Sequence, residues 1–384
     1  MTLAAAVHSP DSPDQALLKR GYVLEETVIQ RMRDLGITCI YVNYPALDDL
    51  DRHLEPFMSP ARREMFGQIK KTFALSQSHL QPQVSYQDYY TSVRELILTL
   101  ISQGRHPIYL DQMARLGDDA VGHAAAVAHL ALLLGIKLER YLLDQRKRLP
   151  PQHAREVVNL GIAGMLHDMG KLQLPPHLQN CHGLSEIESE SDRREFQHHP
   201  QLAYDSIHQG AEPSAASAVL HHHQHYDGTG YLPLSNNQGG SRAMSGTTIH
   251  IFARILQVAD LYDRLSVIPG GSQRRSNLEI LYRMRTTYAG WSDPVVLQAL
   301  HAVAPPFPPG TQVSLSDGTT AVVTEVDSSH PFRPVVKHMG AEFGTLEEAA
   351  IDLNQPGSPQ VKSLGHVDVA PFLPSEETQA FIRA

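Results

Sequence analysis

Between about residue 90 and residue 304 the apolar residues recur at helical spacing, and this period constrains the fold more than any other feature of the chain. Val93, Leu96, Ile97, Leu100 and Ile101 make one stripe, and Ala126, Leu130, Leu133 and Leu134 make another. The spacing predicts helices over 92–103, 119–134, 153–167, 192–208, 214–223, 249–266 and 277–288. Strand signals are scarce in this stretch. The expectation is a bundle of roughly six or seven helices.

The pattern changes on both sides. Residues 21–42 read as a short helix, a stop at Gly36, and a β-branched strand from Ile37 to Val42. Residues 58–77 read as an amphipathic helix, and 79–90 as a linker. Pro305, Pro306, Pro308 and Pro309 end the helical region. After them, TQVSLSDGTTAVVTEVD alternates in strand fashion around Asp317-Gly318, a hairpin signal, and RPVVKHM is another strand candidate. The expected fold class is mainly α. A small α/β module occupies 1–85, a helical domain 90–304, and a small β-rich module 305–384.

Composition narrows the function. The net charge of -9 argues against a general binder of nucleic-acid polymers. A single nucleotide stays admissible, because bound metal supplies local positive charge on an acidic protein. Cys39 and Cys181 are the two cysteines and form no CxxC pair, so neither a disulfide framework nor a thiolate metal site is expected. No signal peptide is read at the start, and no apolar run reaches the roughly 18 residues of a membrane span, so cytoplasm is the default.

Histidine is the outlier. Of 22 histidines, 11 lie between His167 and His250, and HHHQHYDGTGYL at 221–232 is the densest part. GMLHDMGK puts His167 and Asp168 together on an apolar helix, where a carboxylate is costly unless paired or metal-bound. An isolated HD dipeptide is usually a surface hydrogen-bonded pair. Here it comes in order with Asp119 and His123 four residues apart, His198 and His199 before Pro200, His221 to His223, and Asp260 in ILQVADLYDRL. Imidazoles and carboxylates on separate helices can converge in a bundle core and build a dinuclear site. Imidazole-rich ligation favours iron, manganese, zinc or nickel over magnesium.

Over residues 115–290 the ordered set resembles the HD-GYP family of cyclic-di-GMP phosphodiesterases, within the HD hydrolase superfamily. HAAAVAHLALLLGIKL is similar to the first metal-histidine helix, which gives the role to His123 and not His129. LHDMGKLQLP is similar to the HD motif, FQHHP aligns His199, HHQHYDGTGYL aligns His222 and His223, and VADLYDRL aligns Asp260. The resemblance implies a metal-dependent enzyme that opens cyclic-di-GMP to pGpG or GMP with a hydroxide held between two divalent ions, iron or manganese. On that reading Asp168 bridges. His123, His167 and Asp260 complete one ion's shell, and His199, His222 and His223 serve the second. Lys171 meets a phosphate oxygen, and Asp227, Gly228, Gly230 and Tyr231 lie on the substrate side. His198, His221 and His225 are bystanders and His250 is structural.

The chain departs from the family at definite places. Asp119 stands where a glutamate often supports a third metal. Gln224 replaces the glutamate of the HHE motif, and Leu232 replaces the proline of GYP. SVIPGGSQRR stands where the family has a basic RPY-like stretch, with Arg274 and Arg275 further on. These departures keep two other readings open: a weakly catalytic protein that binds a cyclic dinucleotide and signals, and a phosphohydrolase for another nucleotide. A homodimer or a signalling partner is compatible with any of them.

Overall fold

The structure is a computed structural model. It describes the chain except residues 1, 5, 9–15, 36, 38–39, 41, 44–46, 48–49, 51–58, 78–84, 103–108, 110–119, 232–233, 236–240, 243, 269–273, 341–344, 376–377 and 380–384.

Helix α1 (Glu26–Asp34) packs near a two-stranded ribbon of β1 (Val7–His8) and β2 (Ala16–Leu18), around Leu3, Val7 and Met32. Half of the strand expected at 37–42 (residues 38, 39 and 41) lies outside the described residues; of the rest, Ile37 and Ile40 are in no strand and Val42 forms only an isolated bridge to Leu3. The helical body then runs through α2 (Pro60–Gln77), α3 (Tyr86–Ser102), α4 (Ala120–Lys137), α5 (Glu139–Gln145), α6 (Pro151–Ala154) and α7 (Val158–Leu166). It continues through α8 (Pro176–Gln179), α9 (Glu190–Phe196), α10 (His199–Ile207), α11 (Pro213–His221), α12 (Ile251–Ser266), α13 (Asn277–Arg285) and α14 (Pro294–Val303). A short hairpin of β3 (Leu234–Ser235) and β4 (Ser241–Arg242) lies between α11 and α12.

Helix α4 is the axis of this body. It is buried from Val121 to Gly135, and it packs against α7, α12, α2 and α14. By length and composition it could cross a membrane, yet it is buried inside the protein; the sequence reading, which counted unbroken apolar runs, passed over it. Its alanines allow close approach. A Cβ placed on Gly164 of α7 would stand 2.6 Å from Ala128 Cα, closer than real atoms come, so the α4–α7 contact requires a glycine there.

Several expected elements differ in detail. The helix read over 192–208 is two, α9 and α10, because Pro200 cannot continue a preceding helix and instead starts a new one. The helix read over 153–167 is also two, and Arg146 donates to the carbonyls of His153, Ala154 and Glu156 at the break (3.1, 2.9 and 3.1 Å). Helix α3 begins at Tyr86, inside the expected linker. Helix α13 ends a turn early, at Arg285. Helix α14 was not anticipated; Asp293 caps it by accepting from the Val295 N–H at 2.9 Å. The boundary read at residue 85 cuts through the core, since α2 buries Met65, Ile69 and Phe73 in the same cluster as α3 and α4.

The C-terminal part is β-rich. Strands β5 (Gln312–Leu315), β6 (Thr320–Glu325), β7 (Val335–Met339), β8 (Leu346–Asp352), β9 (Val361–Leu364) and β10 (Val367–Asp368) form an antiparallel sheet ordered β10-β9-β5-β6-β7-β8. Gly318, at φ +90°, closes the β5–β6 hairpin at the expected Asp-Gly turn. Leu278 of α13 and Phe307 join the sheet's core, so the sheet packs onto the helical body.

The α4–α7 contact can be tested. Gly164→Ala is expected to destabilise the protein by about 1–3 kcal/mol through overpacking against Ala128. A urea unfolding midpoint equal to the wild type would show that the two helices separate freely.

Candidate metal centre

Helix ends bring the sequence-predicted residues together. His123 projects from α4, His167 caps the C-terminus of α7, and Asp168 follows at the start of a 3₁₀ turn, Met169–Gln173. His199 opens α10, His222 and His223 follow α11, and Asp260 lies on α12. The HD pair is therefore at a helix end and not within a helix, as the sequence reading had it. That position lets two adjacent side chains point into one space. Gly170 makes the neighbouring contact possible: a Cβ there would lie 2.0 Å from the His199 carbonyl oxygen.

All seven residues are buried. His123, His167 and Asp168 form one set whose donor atoms lie within 4.8 Å of one another, and Asp168, His199, His222 and His223 form another. Either set could hold a metal ion. Asp168 is common to both, and it turns a different oxygen to each. Oδ2 lies 3.4 Å from His123 Nε2 and 3.5 Å from His167 Nε2, while Oδ1 lies 3.2 Å from His199 Nε2 and 3.8 Å from His222 Nε2. Asp260 touches both sets, with Oδ1 3.3 Å from His123 Nε2 and Oδ2 3.9 Å from His223 Nδ1.

The tautomers fit ligation. His167, His199 and His222 each set Nδ1 against a backbone carbonyl three residues back, at Gly164, Phe196 and Val219 (2.8, 2.7 and 2.7 Å). A carbonyl only accepts, so Nδ1 carries the proton and Nε2 turns its lone pair inward. The buried His222 Nε2 has no hydrogen-bond partner among the described residues. His123 Nε2 and His167 Nε2 are 3.2 Å apart, as are His199 Nε2 and His223 Nε2. Imidazole nitrogens that converge at that distance beside the carboxylates suit a shared cation, so the donor set fits a divalent metal.

Electrostatics follow the burial. Burial lowers the His167 and His199 pKa values to about 3 and about 4, so both are neutral near pH 7. For His123, burial works downward, but Asp168, Asp260 and Asp263 outweigh it and raise the pKa to about 10. For Asp168, burial works upward, yet the charge of Lys171 leads the groups that hold it well below the usual carboxylate range. Asp260 is likewise held low against burial, chiefly by Arg264.

Three residues near the cluster were not singled out from the sequence. Asp263 is buried, with Oδ2 2.6 Å from His123 Nδ1; its signal was the i,i+3 spacing from Asp260. Arg264, at i+4, places Nη2 2.9 Å from Asp260 Oδ2. Trp291 stacks on His225 at 3.7 Å and 18°, and no local signal connects residues so far apart in sequence. His225 is thus a buried anchor, whereas His198 is exposed and His221 half-buried. His250 caps α12 by accepting from the Phe252 N–H at 3.2 Å, a structural role.

The glycine turn packs on the cluster. Tyr226 and Asp227 donate their N–H groups to the Trp291 and Gly290 carbonyls at 2.8 and 3.0 Å. Asp227 is exposed, and its Oδ1 accepts from the Thr229 N–H (2.9 Å) and hydroxyl (2.7 Å), so it shapes its own turn and orients no cluster histidine. Gly228 is left-handed at φ +86°. At Gly230 a Cβ would stand 2.4 Å from the His223 carbonyl oxygen, so this glycine lets the turn lie against residues 223–225. Tyr231 stacks on His223 at 4.6 Å and 28°, and its carbonyl accepts from Gln224 Nε2 at 2.6 Å.

Lys171 is buried, with Nζ 2.6 Å from Asp168 Oδ2 and 3.3 Å from the Cys181 carbonyl oxygen. Arg275 donates to the Leu265 and Val267 carbonyls, both at 2.7 Å, and Arg274 donates to the Ser266 hydroxyl at 2.6 Å. Asp119 and Leu232 lie outside the described residues.

The family model for the HD domain matches residues 136–294, a span that holds every cluster residue except His123. A cyclic di-GMP phosphodiesterase of Pseudomonas aeruginosa is 31% identical over 240 residues, which cover 61% of this chain and 51% of that protein. The cyclic di-GMP phosphodiesterase response regulator RpfG of Xanthomonas campestris pv. campestris is 31% identical over 114 residues, 29% of this chain and 27% of that protein. The chain thus spans about half the length of the first relative and about a quarter of the second. Among solved structures, an HDG"Y"P protein from Bdellovibrio bacteriovorus aligns with a TM-score of 0.43 and 13% identity, covering 78% of this chain and 94% of that one. Residues 136–294 thus match the HD domain, and Gly230-Tyr231-Leu232 stand where the HD-GYP signature reads GYP.

Proposed function

We propose that the chain is a metal-dependent phosphodiesterase that hydrolyses cyclic-di-GMP to pGpG or GMP. The observation that carries this reading is Asp168, one carboxylate with one oxygen facing each histidine set. His123, His167 and Asp260 would hold one divalent ion and His199, His222 and His223 a second, with Asp168 between them. Iron or manganese suits the imidazole-rich donors. Two such ions, when bound, acidify water at neutral pH and neutralise charge on a phosphoryl oxygen.

The chain's own residues prepare the site. The three carbonyl-bound imidazoles are fixed in direction, so ligation needs little reorganisation. Asp263 orients the His123 ring. Lys171 keeps Asp168 ionised and holds a positive charge beside it, within reach of a phosphate oxygen drawn to the cluster. Tyr231 covers the His223 ring and excludes water from that flank. The names of the two curated relatives support cyclic-di-GMP as the substrate.

Manganese- or iron-loaded protein is expected to convert cyclic-di-GMP to a linear product, followed by chromatography. Nucleotide binding without any linear product would overturn the enzyme reading in favour of a binding protein. Asp168→Ala is expected to lose both metal and turnover, and retained activity would sink the proposed arrangement. Asp263→Asn is expected to fold normally and to bind metal about 10–100-fold more weakly, read by chelator competition. Unaltered affinity in that variant would mean that the Asp263–His123 contact does not support the centre.

A further inference from the structure

Two basic side chains sit directly on the cluster carboxylates, Lys171 on Asp168 and Arg264 on Asp260. Arg264 lies one helical turn past Asp260 on α12. Its Nη2 forms an ion pair with Asp260 Oδ2 at 2.9 Å, and its Nη1 donates to the His182 carbonyl at 3.3 Å. The buried Nε–H has no acceptor among the described residues. The side chain as a whole keeps 17% of its surface exposed, against 2% for Asp260, so it reaches from the cluster toward its rim. A guanidinium carries five N–H donors in a planar fork that matches phosphate oxygens. One hydrogen bond and one ion pair leave N–H donors to spare.

Charge gives the second argument. A cation touching a carboxylate of a metal-binding cluster repels the metal, so Arg264 is unfavourable there unless something anionic arrives. With the histidines unprotonated, as metal ligation would require, Asp168, Asp260 and Asp263 outweigh Lys171 and Arg264 by one negative charge. Two divalent ions would reverse that to about three positive, a field that draws in an anion. The other arginines near α12 are engaged elsewhere: Arg275 binds carbonyls at the end of α12, and Arg274 binds the Ser266 hydroxyl and approaches Asp263.

We infer that Arg264 is a substrate-binding residue, whose guanidinium grips a phosphate group of the nucleotide at the rim of the metal centre. The identity of that nucleotide rests on the phosphodiesterase reading above; the phosphate contact does not. Asp260, shared with a bound metal, would hold the arginine less tightly and leave its fork for an incoming phosphate.

The test compares manganese-loaded wild type with Arg264→Gln and Arg264→Lys. Three quantities are read: bound manganese per chain, affinity for inorganic phosphate by calorimetry, and KM and kcat for cyclic-di-GMP. Arg264→Gln is expected to keep its manganese, to bind phosphate at least about tenfold more weakly, and to raise KM by a similar factor with a smaller change in kcat. Arg264→Lys, which keeps the charge and loses the fork, should fall between. Wild-type phosphate affinity in Arg264→Gln would overturn the inference, as would loss of manganese with phosphate affinity per loaded site unchanged; Arg264 would then serve only to hold Asp260. If Arg264→Gln fails to fold by circular dichroism, the lysine variant decides by the same phosphate measurement. Failure of the phosphodiesterase reading is seen separately, as no linear product from loaded wild type, and the phosphate affinities still decide the role of Arg264.

Discussion

A carboxylate buried at the end of an apolar helix, Asp168, is the constraint that the surrounding structure answers. Left unpaired, such a group would cost several kcal/mol of desolvation. The fold meets that cost by bringing four further elements to it. Lys171 comes from the following 3₁₀ turn, His123 from α4, His199 from α10 and His222 from the end of α11. Each approach imposes a condition at a distance. Helix α4 must present Ala128 to Gly164, Gly170 must lack a side chain where α10 comes in, and Pro200 must separate α10 from α9. Core packing and the candidate site are in this sense one set of requirements.

The sequence displayed the helices more clearly than their ends. Apolar stripes such as Val93, Leu96 and Leu100 survive small breaks, so a period-based reading joined α9 to α10 and α6 to α7. The α9–α10 break and the C-terminus of α7 are where cluster residues lie. An HD pair inside a helix would splay its side chains by about 100°, whereas the observed pair turns both into the cluster because α7 stops at Leu166. The convergence of His123, His167, Asp168, His199, His222, His223 and Asp260 was legible because polar side chains in apolar surroundings stand out. Asp263 and Arg264 were not, since an acidic and a basic residue on a helix usually form its solvated face. Trp291 had no local signature at all, because its partner His225 is 66 positions away.

The glycine turn changes meaning for the same reason. In sequence, Gly228 and Gly230 suggest a flexible loop over a ligand. In the fold, the turn is fixed by backbone bonds to Gly290 and Trp291, and Gly230 makes room for the chain itself, against His223 and His225. The turn presses Tyr231 onto His223 and so sets the direction of one cluster imidazole. Asp227, expected near the ligand, closes the turn by accepting from Thr229.

Helix ends also explain why the histidines need different supports. The last carbonyls of a helix have no N–H partner within it. Gly164, Phe196 and Val219 occupy such positions in α7, α9 and α11, and each receives the Nδ1–H of the histidine three residues on. One contact thus satisfies an orphan acceptor and aims a lone pair at the cluster. His123 cannot use this device. It lies in the first turns of α4, where the nearby carbonyls are already engaged by the helix. Its ring must be oriented from another element, and Asp263 on α12 does this at 2.6 Å. The buried Asp263 therefore follows from placing one histidine along a helix and the others at helix ends. The α4–α12 contact is where that choice ties the stability of the bundle to the geometry of the cluster.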